Sequence, residues 1–273
     1  MGLATGFRAW LITVGNEILI GRVVNTNLTW LGRKLTLLGY DVHRGLIVPD
    51  EIGDIAWAFK TALSSDAKVI ISTGGLGPTF DDKTLEGLAC ALGVELELNE
   101  EALEMIRGKY EGRGLKLTEH RVKMAKLPRG ARPIPNPAGT APGVHIELQG
   151  KHVFALPGVP KEMKAIFETH LEPLLKRIGP AIYFAERFLI SKGIPESSAA
   201  PLIEEAMKLG RAVYIKSHPK FSELEGPVLE LHVTASARSR EEAERDVERV
   251  TSKLRELLSR HGGRVYEVGS DEF

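Results

Sequence analysis

The 273-residue sequence predicts an α/β protein in two parts. Residues 8–175 are expected to form a three-layer α/β/α domain with a mostly parallel sheet, and residues 180–270 a small α+β domain of order β-α-β-β-α-β. Three observations lead there. Short apolar runs alternate with helix-period stretches through the first 170 residues, the pattern of a parallel sheet covered on both faces. The grammar then changes after "IGPA" at 178–181. The length is one at which a single core commonly becomes two.

Each element follows from its local pattern. "AWLITVG" (9–15) is a buried first strand, and in "NTNLTWLGRKLTLLG" (25–39) Leu28, Leu31, Leu35 and Leu38 recur at helical spacing before Gly39 stops the helix. "YDVHRGLIV" (40–48) is the second strand, and Ile52, Ile55, Phe59 and Leu63 share one face of the helix after it. "KVIIS" (68–72) is the third strand, followed by a glycine loop and a helix over about 83–92. The charged stretch 99–127 is helical, interrupted by "GKYEGRGLK", and is expected to be a flap or a packing excursion. "LPRGARPIPNPAGTAPG" (127–143) is too rich in Pro and Gly for regular structure. "VHIELQG" and "HVFALPG" are strands, and a helix with Pro160 near its start closes the domain. In the second domain "ERFLIS", "AVYIKS", "PVLELHVTAS" and "RVYEVG" are strands. Its last helix carries Ala243, Val247, Val250, Leu254 and Leu258 on one stripe.

Composition narrows the class. Thirty-six basic and 36 acidic side chains cancel, so no global field attracts nucleic acid or an anionic membrane. Cys90 is the only cysteine, which rules out an intrachain disulfide and a cysteine-rich metal site. No apolar run reaches the roughly 18–20 residues of a membrane span. A cytoplasmic protein without a membrane partner is expected.

The chemistry centres on "TGGLGPTFDDKT" (73–84), at a strand's carboxyl end, where open α/β sheets place ligands. Gly74, Gly75 and Gly77 let the backbone approach a ligand closely, and the following helix presents free amides to a phosphate. Thr73 and Thr79 are candidate hydroxyl donors. Asp82 is assigned to ligand and metal and Asp81 to helix capping, because a bare carboxylate repels phosphate unless a cation or an amide intervenes. "GNEILIGRVVNTN" (15–27) brings Gly15, Glu17, Asn25 and Asn27 to the same edge, with Asn25 or Thr26 also expected to cap the next helix. "VPDE" brings Asp50 there, "NPAGTAPG" brings Gly139, Thr140 and Ala141, and "LPGVPKEM" brings Gly158 and Glu162. No GxGxxG, P-loop, HExxH or GxSxG pattern is present.

With these motifs in hand, the chain resembles the CinA (competence/damage-inducible) family, whose first domain is similar to the molybdopterin-binding domain of molybdenum-cofactor biosynthesis proteins. The matching stretches are "GNEILIGRVVNTN", "TGGLGPTFDDKT", "NPAGTAPG" and "LPGVP", over about 8–170, and residues 182–269 resemble the KH-like module that follows in that family. The resemblance implies a metal-dependent hydrolase of ADP-ribose. Asp50 and Asp82 would hold a divalent ion (Mg, Mn or Co) and activate water, Gly74, Gly75 and Gly77 would bind the diphosphate, and Glu17 and Asn25 would lie near the ligand. The competing expectation is that the same pocket binds molybdopterin or a nucleotide, or activates molybdopterin by adenylylation. No counterpart of the family's C-terminal amidohydrolase domain lies in the 273 residues, so nicotinamide mononucleotide deamidation is not expected. RNA binding by the second domain is the third alternative. "KGIPES" supplies neither a GxxG clamp nor a basic groove, so a homodimerisation or lid role is preferred.

Overall fold

The computed structural model describes residues 7–112, 114–210, 212–222 and 226–269. By internal contacts the chain falls into two compact units, one running through Thr36 and again from Tyr40 to Gly179, the other from Pro180 onward together with Leu37–Gly39. The first is an α/β/α three-layer domain and the second a smaller mixed α+β domain.

In the first unit the chain runs β1 (Arg8–Val14), α1 (Asn16–Leu19), α2 (Thr26–Leu37), β2 (Asp41–Val48), α3 (Ile52–Ser64), β3 (Val69–Thr73), α4 (Thr84–Leu92), β4 (Leu96–Leu98), α5 (Glu100–Glu111) and α6 (Glu119–Lys123). It continues through β5 (Lys126–Pro128), β6 (Arg132–Ile134), β7 (Gly143–Leu148), β8 (Lys151–Leu156) and α7 (Pro160–Ile166). A π-helical segment (Phe167–Leu171) then joins α7 to α8 (Glu172–Ile178). The six-stranded sheet has the order β2-β1-β3-β8-β7-β6. Its first four strands are parallel, and β7 and β6 are added antiparallel.

The parallel centre forms because β1 and β3 are buried almost throughout and enriched in branched apolar residues, which suit a strand covered on both faces. Trp10, Ile12 and Val14 alternate into a core with Ile55 and Phe59 of α3, Leu88 of α4 and Ile106 of α5. On the other side Trp30 of α2 meets Phe167 edge to face, ring centroids 5.1 Å apart.

Of the two alternatives for 99–127 the packing excursion is found, and one other expectation is corrected. The stretch 99–127 is no flap: Ala102, Leu103 and Ile106 of α5 are buried in the main core, and Asn99 caps the helix by accepting from the Ala102 amide at 2.9 Å. The stretch 127–143 is not wholly irregular either. β5 pairs with β4, and β6 pairs antiparallel with β7 at the sheet's edge. Pro128 and Pro133 are tolerated because each lies in a three-residue strand where few ladder amides are needed.

The second unit comprises β9 (Tyr183–Lys192), α9 (Glu196–Met207), β10 (Val213–Ser222), β11 (Gly226–Ala237), α10 (Arg240–Arg260) and β12 (Arg264–Val268). Its antiparallel sheet has the order β10-β11-β9-β12, a split two-layer arrangement. α10 begins at Ser239, whose hydroxyl accepts from the Glu242 amide at 3.2 Å. The Ala243, Val247, Val250, Leu254 and Leu258 stripe is fully buried. Each large member of it contributes about 1.5–3 kcal/mol by leaving water.

In the first unit, on β7 and β8, His145 and His152 stack at 5.3 Å between ring centroids, with Nε2 of His145 3.1 Å from Nδ1 of His152. Burial, with the His152 charge next, pushes His145 down to about 4. The folded state thus keeps this ring neutral while the unfolded chain takes up a proton near pH 6.5. Stability unaffected by this group above about pH 6.5 is therefore lost as the pH falls from there toward about 4. The melting temperature of the wild type should drop more between about pH 7 and about pH 5 than that of His145→Phe, which keeps the stack on Phe154 without a titrating nitrogen.

Candidate functional site

The loops leaving β1, β2, β3 and β8 at their carboxyl ends meet around a cavity of about 660 Å³. Glycine sets how closely they approach. Gly74 has φ +101°, and a Cβ there would lie 2.1 Å from the Val14 carbonyl oxygen. Gly75 has φ +64°, and a Cβ there would lie 2.3 Å from Thr84 Oγ1. The turn is then tied down from both sides. The Gly74 amide donates to Leu156 O at 3.0 Å, and the Thr84 hydroxyl donates to Gly74 O at 2.8 Å. Gly75, Leu76 and Gly77 all line the cavity. Among the described residues no protein acceptor takes their three amides. Consecutive unpaired amides beside a helix start make an anion seat, and α4 has no side-chain cap competing for it.

Asp50 and Asp82 stand on the cavity wall as expected, and Asp81 departs from the capping role expected of it. Asp82 turns back into its own loop: Oδ2 accepts from the Thr79 amide at 2.8 Å, and a Cβ on Gly77 would lie 2.5 Å from it. The Thr79 hydroxyl also lies against both carboxylates, at 2.5 Å from Asp81 Oδ1 and in hydrogen-bond contact with Asp82 Oδ2. Its single proton serves one of them at a time. Asp81 therefore clasps Thr79 and does not cap α4, whose N-cap is Lys83. Asp50 Oδ2 accepts from the Asn16 amide at 2.8 Å, joining the loops after β1 and β2. Burial raises the Asp50 carboxyl above the usual carboxylate range, and the charges of Glu17, Asp81 and Asp82 add to the rise.

Asparagines knit the rest. Asn25 Oδ1 accepts from the Leu28 amide at 3.0 Å and so caps α2, while its Nδ2 donates to Thr13 Oγ1 at 2.9 Å. Asn27 is buried and donates to Gly158 O at 2.7 Å. Asn136 was not singled out from sequence, yet it organises the whole 136–141 loop. Its Oδ1 accepts from the amides of Ala138 and Gly139 at 3.1 and 2.8 Å. Its Nδ2 donates to Ala141 O at 2.8 Å and Glu162 Oε2 at 2.7 Å. A Cβ on Gly139 would strike Glu162 Cδ at 2.0 Å. The Asn-Pro pair ahead of a glycine was the available signal for this side-chain turn. Lys123 of α6 was likewise missed. Its Nζ donates to Thr79 O at 2.8 Å and Asp82 O at 2.6 Å, holding the glycine loop from outside.

Gly15, Glu17, Asn25, Thr73, Thr79, Thr140 and Gly158 all line the cavity with the three loop glycines and Gly139. Glu17, Asp50, Asp81, Asp82 and Glu162 are its charged lining residues, every one a carboxylate. An anionic group entering here is met by backbone amides and not by lysine or arginine.

The model of a family described as a probable molybdopterin binding domain matches residues 10–177. A protein of Pyrobaculum aerophilum is 56% identical over 94% of this chain and 97% of its own length. One of Aeropyrum pernix is 51% identical over 96% and 98%. The crystal structure of the protein CinA from Thermoplasma acidophilum, described as of unknown function, is 49% identical over 64% of this chain and all of its own, with a TM-score of 0.59. These findings correct the reading as a metal-dependent ADP-ribose pyrophosphatase. The matched domain is described by molybdopterin binding and not by hydrolysis. Among the described residues no three His, Cys, Asp or Glu side chains are grouped to hold a metal ion. The physical reason is in the loops, where Asp82 and Asp50 serve as acceptors for backbone amides. Among the described residues no helix is long and apolar enough to cross a membrane.

Gly74→Ala places a Cβ on the Val14 carbonyl and forces φ +101° on an L-residue. It should cost at least about 1–3 kcal/mol in urea unfolding. Gly53→Ala, where a Cβ meets nothing within 4 Å, should leave the midpoint nearly unchanged.

Proposed function

Because the chain belongs to the CinA family, with its molybdopterin-binding-type domain over residues 10–177, we propose that the cavity binds a phosphorylated heterocycle of the molybdopterin or nucleotide class in molybdenum-cofactor biosynthesis. The observation that carries the reading is the row of unpaired amides at Gly75, Leu76 and Gly77, inside the matched domain and on the cavity wall. The phosphate sits on those amides, whose N–H groups favour negative charge. The carboxylates of Glu17 and Glu162 then face the remainder of the ligand, and they suit N–H and amino donors on a ring edge.

The test is calorimetric titration of molybdopterin, AMP and inorganic pyrophosphate into the purified chain. A heterocyclic phosphate should bind with a Kd of about 1–100 μM, and more tightly than pyrophosphate, which offers the carboxylates nothing. Absence of binding by both heterocyclic ligands would overturn the proposal. Adding ATP with molybdopterin, and looking for adenylylated pterin with release of pyrophosphate, separates an activating enzyme from a binding protein.

The second unit is assigned oligomerisation as part of the same proposal. Its core side chains lie on alternate positions of β9 and β11, against α9 and α10, so both helices cover one face of its sheet. Light scattering at micromolar concentration should give a dimer mass; a monomer would rule this assignment out.

A further inference from the structure

Among the described residues Tyr110 is the single aromatic side chain on the cavity wall. It stands in the last turn of α5, half-buried, and packs at the margin of the main core. The guanidinium of Arg121, in α6, lies 4.0 Å from its ring centroid. Arg121 is not itself part of the cavity wall. The guanidinium is held in turn, with Nη1 donating to Lys116 O. A ring with a planar cation on one face is fixed in its plane and keeps its other face for a different partner.

We infer that Tyr110 is the stacking platform for a flat heteroaromatic ring of the ligand, and that Arg121 is a positioning residue behind it. This rests on the proposed reading of the cavity as a site for a phosphorylated heterocycle. None of the other residues on the wall is aromatic, so among the described residues no second aromatic ring competes for the ligand's ring. Offset stacking is tolerant of ring identity, because purines and pterins both present a polarisable face. The excursion over 99–125 thereby acquires a role. It brings Tyr110 and Met124 to the wall from one side while Lys123 holds the glycine loop.

The experiment compares probes that share a phosphate and differ in the ring: AMP and a pterin monophosphate against ribose 5-phosphate, titrated into wild type, Tyr110→Leu, Tyr110→Phe and Arg121→Gln. In the wild type the ringed probes should bind about tenfold or more tightly than ribose 5-phosphate. Tyr110→Leu should lose that preference while its ribose 5-phosphate affinity stays the same. Tyr110→Phe should retain it, since the ring and not the hydroxyl is needed, and Arg121→Gln should lose part of it. Retention of the full preference by Tyr110→Leu would overturn the inference and leave the proposed function standing. Equal binding of all three probes by the wild type would also overturn it. No binding of any probe by the wild type would remove both. Should Tyr110→Leu prove unfolded by circular dichroism, the Arg121→Gln result decides, with an unchanged preference counting against the inference.

Discussion

The site depends on the contact between residue 74 and the Val14 carbonyl, a space in which only a glycine fits. β1 and β3 are parallel neighbours, so their chains leave the sheet at the same edge and would part at once if a side chain stood between them. With glycine there, the β3 loop folds over the end of β1 and takes Leu156 O of β8 as the acceptor for its amide. Gly158 continues the same logic, because a Cβ on it would lie 3.3 Å from Gly74 Cα. Three strand ends are thus drawn together by backbone alone, and the cavity is the space their loops leave.

Neutral amides, more than charges, then hold those loops in place. Asn25 and Asn136 each use donor and acceptor at once, Asn25 satisfying one amide and one hydroxyl and Asn136 two amides, a carbonyl and the Glu162 carboxylate, without adding charge to a wall that already carries five carboxylates. A lysine inside the cavity would neutralise the wall but would also draw the carboxylates off the amides they serve. The lysine that does act, Lys123, binds carbonyl oxygens from behind the loop.

Much of this was legible in the sequence. The unbroken apolar runs of β1 and β3 and the five-residue stripe of α10 have a period and a length that only a covered strand or a packed helix satisfies. The glycine loop announced its place at the sheet edge. The short strands β4, β5 and β6 were not legible, because three residues carry no period and prolines argue against them unless the edge position is known. Nor was the direction of Asp82. A carboxylate beside a glycine loop has the same sequence whether or not one of its oxygens closes on Thr79, and the turn decides it. Tyr110 and Lys123 were hidden for another reason. They reach the site from an excursion far along the chain, and local pattern holds no information about which distant loop an excursion meets.

If the cavity holds a phosphorylated ring as proposed, the five carboxylates on its wall also act as a filter against the commonest anions of a cell. Orthophosphate, pyrophosphate and free sugar phosphates bring negative charge and little to offset it, so like-charge repulsion raises their free energy in the cavity. A ligand whose ring edge offers hydrogens to those carboxylates recovers the loss. Occupancy is then governed by what is attached to the phosphate, and a scarce compound can hold a seat that abundant simple phosphates are kept from.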